Sequence, residues 1–282
     1  MKKAPIPFLF IAAFFIFAAV FLVAPTVMLA VQAFTDDDGL TLEHIIGLQA
    51  YRYRTAFQNS LFLSLSSATT GAVAGGLIAY AMLKPGAPGW LRAVVTSFSA
   101  VAANFAGVPL AFAFISTLGT LGLLTSFLKQ FGIDLYAMGF SLFSITGLTI
   151  VYSYFQIPLM IIIISPALRA LQPAWREAAE NLGASPGQYW RLVGLPVLAP
   201  SLLASWILLF GNAFSAYATA YALTSGNIQL VTTEISAVLS GNVADDPQIG
   251  AALSVGMIVV MVTVLAISTA LTRKASKWTQ GR

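Results

Sequence analysis

The chain has 282 residues, 58% of them hydrophobic and 9% charged, with a mean hydropathy of +0.85. A soluble domain carries roughly 25% charged residues, so this composition excludes a water-soluble globule and points to a polytopic membrane protein. The absence of cysteine excludes disulfides and thiolate metal sites, and the single histidine, His44, cannot make a metal cluster alone and reads as a solvated loop residue.

Met1-Lys2-Lys3 precede an apolar run, read as a first span over residues 8–32. Val31-Gln32-Ala33 resembles a signal-cleavage site. A signal h-region is only about 7–15 residues long. This run reaches the roughly 20 residues needed to cross a bilayer, so it reads as a retained span. Five further apolar segments follow, at roughly 57–83, 93–118, 141–168, 198–222 and 248–272. None of the six contains Asp, Glu, Lys or Arg. That fits a cost of about 2.5–3.5 kcal/mol for each charge at a helix centre.

On the second span Gly71, Gly75 and Ala79 recur every four residues, a small-residue face that lets another helix approach closely. Pro109 and Pro158 are expected to interrupt the third and fourth spans, each freeing a carbonyl that a neighbour must satisfy. Asn104 and Phe105, just before Pro109, and Asn212, Ser215, Tyr217 and Tyr221 on the fifth span are the polar and aromatic candidates for a translocation path. An amide facing lipid is costly, so Asn104 and Asn212 should face protein or a water-filled cavity. The 223–247 stretch is too polar to span and reads as a gate or re-entrant element on the outer side.

Between the fourth and fifth spans lies a polar island, roughly 170–197. Pro173 suits a first helical position. Trp175, Ala178, Ala179 and Leu182 then share one helical face, at i, i+3, i+4 and i+7. Gly183 sits where a helix ends in a left-handed residue. Ser185-Pro186-Gly187-Gln188 opens a second helix with a serine cap and a Gln three residues later. Leu195-Pro196 is expected to end that helix, because the residue before proline is pushed out of helical geometry.

The spacing Glu177-Ala178-Ala179, three residues, Gly183, and later Leu195-Pro196 resembles the cytoplasmic loop of permease subunits of binding-protein-dependent ABC importers, with Val193 where isoleucine is usual. The resemblance implies an all-α membrane protein of six transmembrane helices with the type I importer permease fold, in one transmembrane domain over residues 1–282. It implies that Glu177, Ala178, Ala179, Gly183, Leu195 and Pro196 form a coupling element that docks into an ATPase subunit dimer. It further implies a second permease subunit, identical or related, and a periplasmic binding protein that delivers the solute. The chain has no phosphate-cradling glycine loop. It is therefore expected to be non-catalytic and to hold no cofactor, with ATP and Mg on the partner ATPase, and no nucleic-acid partner is expected. A secondary transporter or channel working without an ATPase is the alternative, and the absence of charged residues at membrane depth argues against the first. The spans also look similar to permeases for polyamines, sulfate, iron or phosphonates, with a polyamine-like solute favoured.

Charge placement sets the expected topology. With the N-terminus inside, Lys2, Lys3, Lys84, Arg92, Arg169, Arg176, Arg191, Arg273, Lys274, Lys277 and Arg282 lie on the inner side, and Arg52, Arg54 and Lys129 on the outer, an 11 to 3 division of the 14 basic residues. Of the acids, only Glu177 and Glu180 fall inside. The positive-inside rule then places both termini and the Glu177 loop in the cytoplasm of a bacterial inner-membrane protein. Single cysteines at Asp37, Asp134 or Asp245 should react with an impermeant thiol reagent applied to intact cells, whereas cysteines at Lys84, Gly187 or Lys277 should not. Outside labelling at Gly187 would reverse the topology.

Overall fold

A computed structural model describes residues 6–36, 38–84, 86–241 and 247–280, with side chains described over 11–36, 38–84, 86–241 and 247–272. Lys2, Lys3, Asp37, Asp245, Asp246 and Arg282, used above to assign sidedness, lie outside the described residues.

The chain is helical almost throughout. α1 (Ile6–Ala18) and α2 (Ala24–Ala33) form one rod joined by a π turn at Ala19–Val23. A small hairpin pairs β1 (Thr35–Asp36) antiparallel with β2 (Gly39–Leu40), and the short α3 (Glu43–Gly47) follows. α4 (Tyr51–Leu83), α5 (Gly89–Ala102), α6 (Val108–Leu118), α7 (Leu123–Gln130) and α8 (Ile145–Arg169) make the first part of the bundle. The polar island folds as α9 (Pro173–Asn181) and α10 (Pro186–Tyr189), and a π turn at Trp190–Gly194 leads into α11 (Leu195–Ser215). α12 (Ala218–Thr224), α13 (Val231–Leu239) and α14 (Pro247–Gln280) complete the chain. Among the described residues, six helical stretches are long and apolar enough to cross a bilayer: Ile11–Ala33, Tyr51–Leu83, Val108–Gln130, Ile145–Arg169, Pro186–Ser215 and Pro247–Thr272.

α8 is the hub. It packs most extensively on α4 and also touches α5, α6 and α11. Helices in lipid gain little from hydrophobicity on meeting one another, so close van der Waals packing must hold them. The small-residue face of α4 supplies it. A Cβ on Gly75 would lie 2.5 Å from the carbonyl oxygen of Ile157 and 2.7 Å from Met160 Cβ, and one on Gly71 would lie 2.7 Å from Gln156 Cβ. Ala79 on the same face is fully buried. Gln156, buried at this contact, donates from Nε2 to the Leu209 carbonyl of α11 at 2.7 Å and so ties a third helix to the pair.

Five sequence expectations are corrected by the structure. The third apolar segment is not one helix kinked at Pro109: α5 stops at Ala102, the chain is non-helical over residues 103–107, and Pro109 sits in the first turn of α6, where its missing N–H costs nothing. Pro158 lies inside an α8 that stays continuous. The fifth segment is broken between α11 and α12. Leu195-Pro196 does not end a helix: Leu195 has helical dihedrals, and its N–H donates to the Trp190 carbonyl five residues back. The same device precedes Pro25, where the Ala24 N–H reaches Ala19. A proline ring clashes with the carbonyl four residues back, and the wider π turn shifts the ladder register just ahead of each ring. Finally, His44 is buried rather than solvated, because α3 folds onto α14.

The α4–α8 contact yields a comparison between adjacent glycines. Alanine in place of a mid-helix glycine gains up to about 1 kcal/mol of helix propensity, whereas overpacking costs about 1–3 kcal/mol. A Cβ on Gly76 meets only Met160 Cε, at 3.8 Å. Gly75→Ala should therefore lower the thermal unfolding midpoint of the purified protein in detergent, and Gly76→Ala should leave it unchanged or raise it. Equal effects at the two positions would contradict the close approach.

Candidate functional site

Two helix interruptions meet in the bundle. In the first, Gly107 has φ +75° and ψ −148°, a combination essentially restricted to glycine. Its N–H donates to Thr219 Oγ1 at 2.7 Å, and a Cβ there would lie 3.7 Å from Ala218 Cβ. In the second, the chain leaves helical geometry at Ala216, and Tyr152 of α8 donates its hydroxyl to the Ala216 carbonyl at 2.8 Å. Non-helical backbone at membrane depth is tolerated only where protein or water satisfies it, and Thr219 and Tyr152 do so from neighbouring elements.

The sequence-derived path residues surround this junction. Asn104 lies exposed in the first interruption and donates to the Ala100 carbonyl at 2.9 Å. Phe105 stands edge-on to Tyr154 with ring centroids 6.3 Å apart. Asn212 and Ser215 share the exposed face of α11 with Ala204 and Leu208. The Ser215 hydroxyl turns back to the Gly211 carbonyl at 2.9 Å. Tyr217, at the second interruption, stacks on Tyr221 at 5.2 Å and accepts a hydrogen bond from Ser236. Among the described residues no hydrogen bond joins Asn104 to Asn212. Sequence reading missed Tyr152, Thr219 and Gly107. The pairing of Gly107 with Pro109 was the available signal, since a glycine just before a helix-starting proline marks a break and not a kink.

The 223–247 stretch holds a third feature that sequence reading missed. Its described part folds as the end of α12 and then α13, which packs on α14 and α4. The Glu234 side chain is 4% exposed and pairs with Arg52 Nε at 2.5 Å, fastening α13 to the first turn of α4. In the last turn of α7, Lys129 pairs with Asp134, just beyond the helix, at 2.9 Å and holds its carboxyl below the usual carboxylate range.

The polar island forms a capped corner. α9 starts after Gln172 with Pro173 in its first turn, and none of its residues is buried. Its apolar face lies open: Trp175 is 37% and Leu182 88% exposed. Ala178 is exposed, Ala179 is half-buried and Glu177 is exposed. Gly183 has φ +79° with open space around its Cβ position. Its N–H donates to Glu180 and that of Ala184 to Ala179, both at 2.9 Å, the paired bonds of a Schellman corner. Ser185 and Gln188 then cap α10 reciprocally: the Ser185 N–H reaches Gln188 Oε1 at 2.7 Å, and the Gln188 N–H reaches Ser185 Oγ at 3.3 Å. On α9, a hydrogen bond from Arg176 to Glu180 at 2.8 Å holds the guanidinium above its ordinary pKa. From Pro186 to Ser215 the backbone is then helical without a break, running from the corner to the second interruption. Leu195 and Pro196 sit within this rod and do not contribute to a corner.

The chain is 27% identical over 159 residues to the molybdenum transport system permease protein ModB of Mycobacterium bovis, covering 56% of each chain. It is 28% identical over 121 residues to the spermidine/putrescine transport system permease protein PotC homolog of Mycoplasma genitalium, covering 42% of this chain and 40% of that protein. The chain thus spans little more than half the length of the first relative and less of the second. A bacterial alginate ABC transporter, crystallised in complex with an alginate pentasaccharide-bound periplasmic protein, contains a chain that superposes with a TM-score of 0.76 at 19% identity, over 96% of this chain and 95% of that one. The fold is therefore that of a type I ABC importer permease. Residues 71–277 match the family described as the binding-protein-dependent transport system inner membrane component, and the chain belongs to that family.

Proposed function

We propose that the chain is the permease subunit of an ABC importer and forms the path for a small hydrophilic solute. The observation that carries this reading is the uncovered apolar face of α9, held at a capped corner and joined by one helix to the paired interruptions. A short helix with Trp175 and Leu182 in the open needs a partner, and a separate ATPase dimer with a complementary groove supplies one. ATP and Mg belong to that dimer, and this chain is the non-catalytic subunit. A second permease, identical or related, completes the path, and a periplasmic binding protein delivers the solute. The alginate transporter's complex with a periplasmic protein supports that kind of partner.

The geometry supports the following mechanism. Closure of the ATPase dimer on ATP moves the two docked corners together. Each corner carries its Pro186–Ser215 helix with it and shifts the junction of Gly107 with Thr219. Asn104, Phe105, Asn212, Ser215, Tyr217 and Tyr221 line or flank the path that opens there. The charge division supports placing both termini and α9 on the cytoplasmic side of a bacterial inner membrane. A polyamine-like cation suits the acidic residues of the outer side, and the spermidine/putrescine relative supports it. The molybdenum relative points instead to an anion, and uptake of labelled spermidine against labelled molybdate by the reconstituted complex separates the two.

Coupling is tested at the corner. A β-branched residue at Gly183 strains its left-handed backbone by about 1–2 kcal/mol, too little to block insertion and enough to tilt a short docked helix. Gly183→Val, and Ala179→Trp by steric block, should leave membrane insertion near normal while abolishing uptake and weakening capture of the ATPase. Glu177→Ala should be milder, since an exposed charge contributes little. Wild-type uptake by both Gly183→Val and Ala179→Trp in a reconstituted complex would remove α9 from coupling.

A further inference from the structure

At the α9 end of the bundle two cavities run into one another. The first, of about 640 Å³, is an open groove between α4, α8 and α11, walled by Val73, Leu77, Leu168, Leu198, Leu202 and Trp206 and almost devoid of polar surface. Along the continuous Pro186–Ser215 helix it extends from Trp190 to Trp206, roughly 24 Å of helix. One leaflet of a hydrocarbon core of about 30 Å is only about half that core, so the groove is long enough for an acyl chain. The second cavity, of about 610 Å³, lies beyond it under α9 and is walled by Lys84, Arg92, Arg169, Arg176, Glu177 and Glu180 among others. Tyr80, Leu168 and Trp190 line both.

Charge and aromatic placement identify the occupant. Four basic and two acidic side chains leave the second cavity with two net positive charges. Arg176 is matched by Glu180. Lys84, Arg92 and Arg169 have no carboxylate within ion-pair distance among the described residues. Tyr80 and Trp190 meet edge to face at 5.0 Å where the apolar groove becomes polar, the depth at which amphipathic rings sit in a bilayer. An apolar slot that opens at the membrane surface onto unpaired cations matches an anionic phospholipid, acyl chain in the slot and phosphate among the arginines. We propose that this chain holds an anionic phospholipid there, its headgroup bridging the ends of α4, α5 and α8 to α9. A zwitterionic lipid would fill the slot equally well, but its own cation cancels the phosphate and leaves the net positive charge of the second cavity unmatched.

The test uses the full chain reconstituted in phosphatidylcholine vesicles, with Trp90, Trp175 and Trp278 replaced by Phe so that only Trp190 and Trp206 report. A minor fraction of lipid carries brominated acyl chains, on either phosphatidylglycerol or phosphatidylcholine. Brominated phosphatidylglycerol should quench the two tryptophans with an apparent affinity roughly fivefold or more above that of the choline lipid, as attraction by even one basic residue near the surface gives. Arg92→Gln with Arg169→Gln should bring the two lipids to parity, and Arg92→Lys with Arg169→Lys should retain the preference, which separates loss of charge from loss of fold. Equal quenching by both lipids in the unsubstituted protein would reduce the site to unselective annular lipid. Quenching by neither would mean that a protein helix, such as one from a second copy, fills the groove. Either result overturns the proposal and leaves the transport reading untouched.

Discussion

The hydrogen-bonded backbone that runs unbroken from Pro186 to Ser215 is the constraint on which the rest depends. Thirty residues of helix span about 45 Å, enough to reach from the capped corner outside the bundle to the interruption beside Tyr217. Three prolines lie in this stretch, at positions 186, 196 and 200. Proline inside a helix removes a bond and costs about 3 kcal/mol when nothing compensates. Pro186 escapes this cost by standing in a first turn behind Ser185. Pro196 is accommodated by the five-residue step from Leu195 back to Trp190, which moves the ladder register before the ring arrives.

A rod transmits nothing unless one end is held and the other can act on something. The holding surface is the α4–α8 pair. Gly71 and Gly75 bring the two backbones into contact, and Gln156 passes a hydrogen bond from that contact to the Leu209 carbonyl, near the middle of α11. At its other end the rod meets the pair of interruptions, where Gly107 bonds to Thr219 and Tyr152 to Ala216; in the proposed mechanism this is what it acts on. Two broken helices leave regular backbone hydrogen bonding sparse here, a setting in which local opening is favoured. The lipid cavity sits at the opposite end, where α9 meets α4, α5 and α8. A headgroup bound there would stiffen the root of the corner.

Local chemistry made the corner legible in the sequence. The αL glycine at 183 and the Ser185–Gln188 capping box depend on residues only a few positions apart, and both stand in the coordinates as spacing required. The close face of Gly71 and Gly75 was legible for the same reason. The interruptions were not. A break at residues 103–107 is stable only because Thr219 satisfies Gly107 from more than a hundred residues away, and no local pattern encodes that partner. Pro109 therefore suggested a kink in a helix that in fact begins there. Leu195-Pro196 misled in the opposite sense, because the rule for residues before proline omits the π turn. His44 is buried for a tertiary reason alone, the docking of α3 on α14.

Rigidity of the Pro186–Ser215 helix is the most direct point of test. Spin labels at Gly187 and Ser215 stand roughly 42 Å apart along an unbroken helix, within the range of pulsed dipolar spectroscopy. Reconstituted with the proposed ATPase partner, the chain should give one narrow distance distribution that is the same without nucleotide and with trapped ATP, while a pair from Gly187 to Leu83 shifts. A second or broadened Gly187–Ser215 population on ATP binding would show that the helix bends at Trp190–Gly194, and the corner would then be mechanically cut off from the interruptions it is held to move.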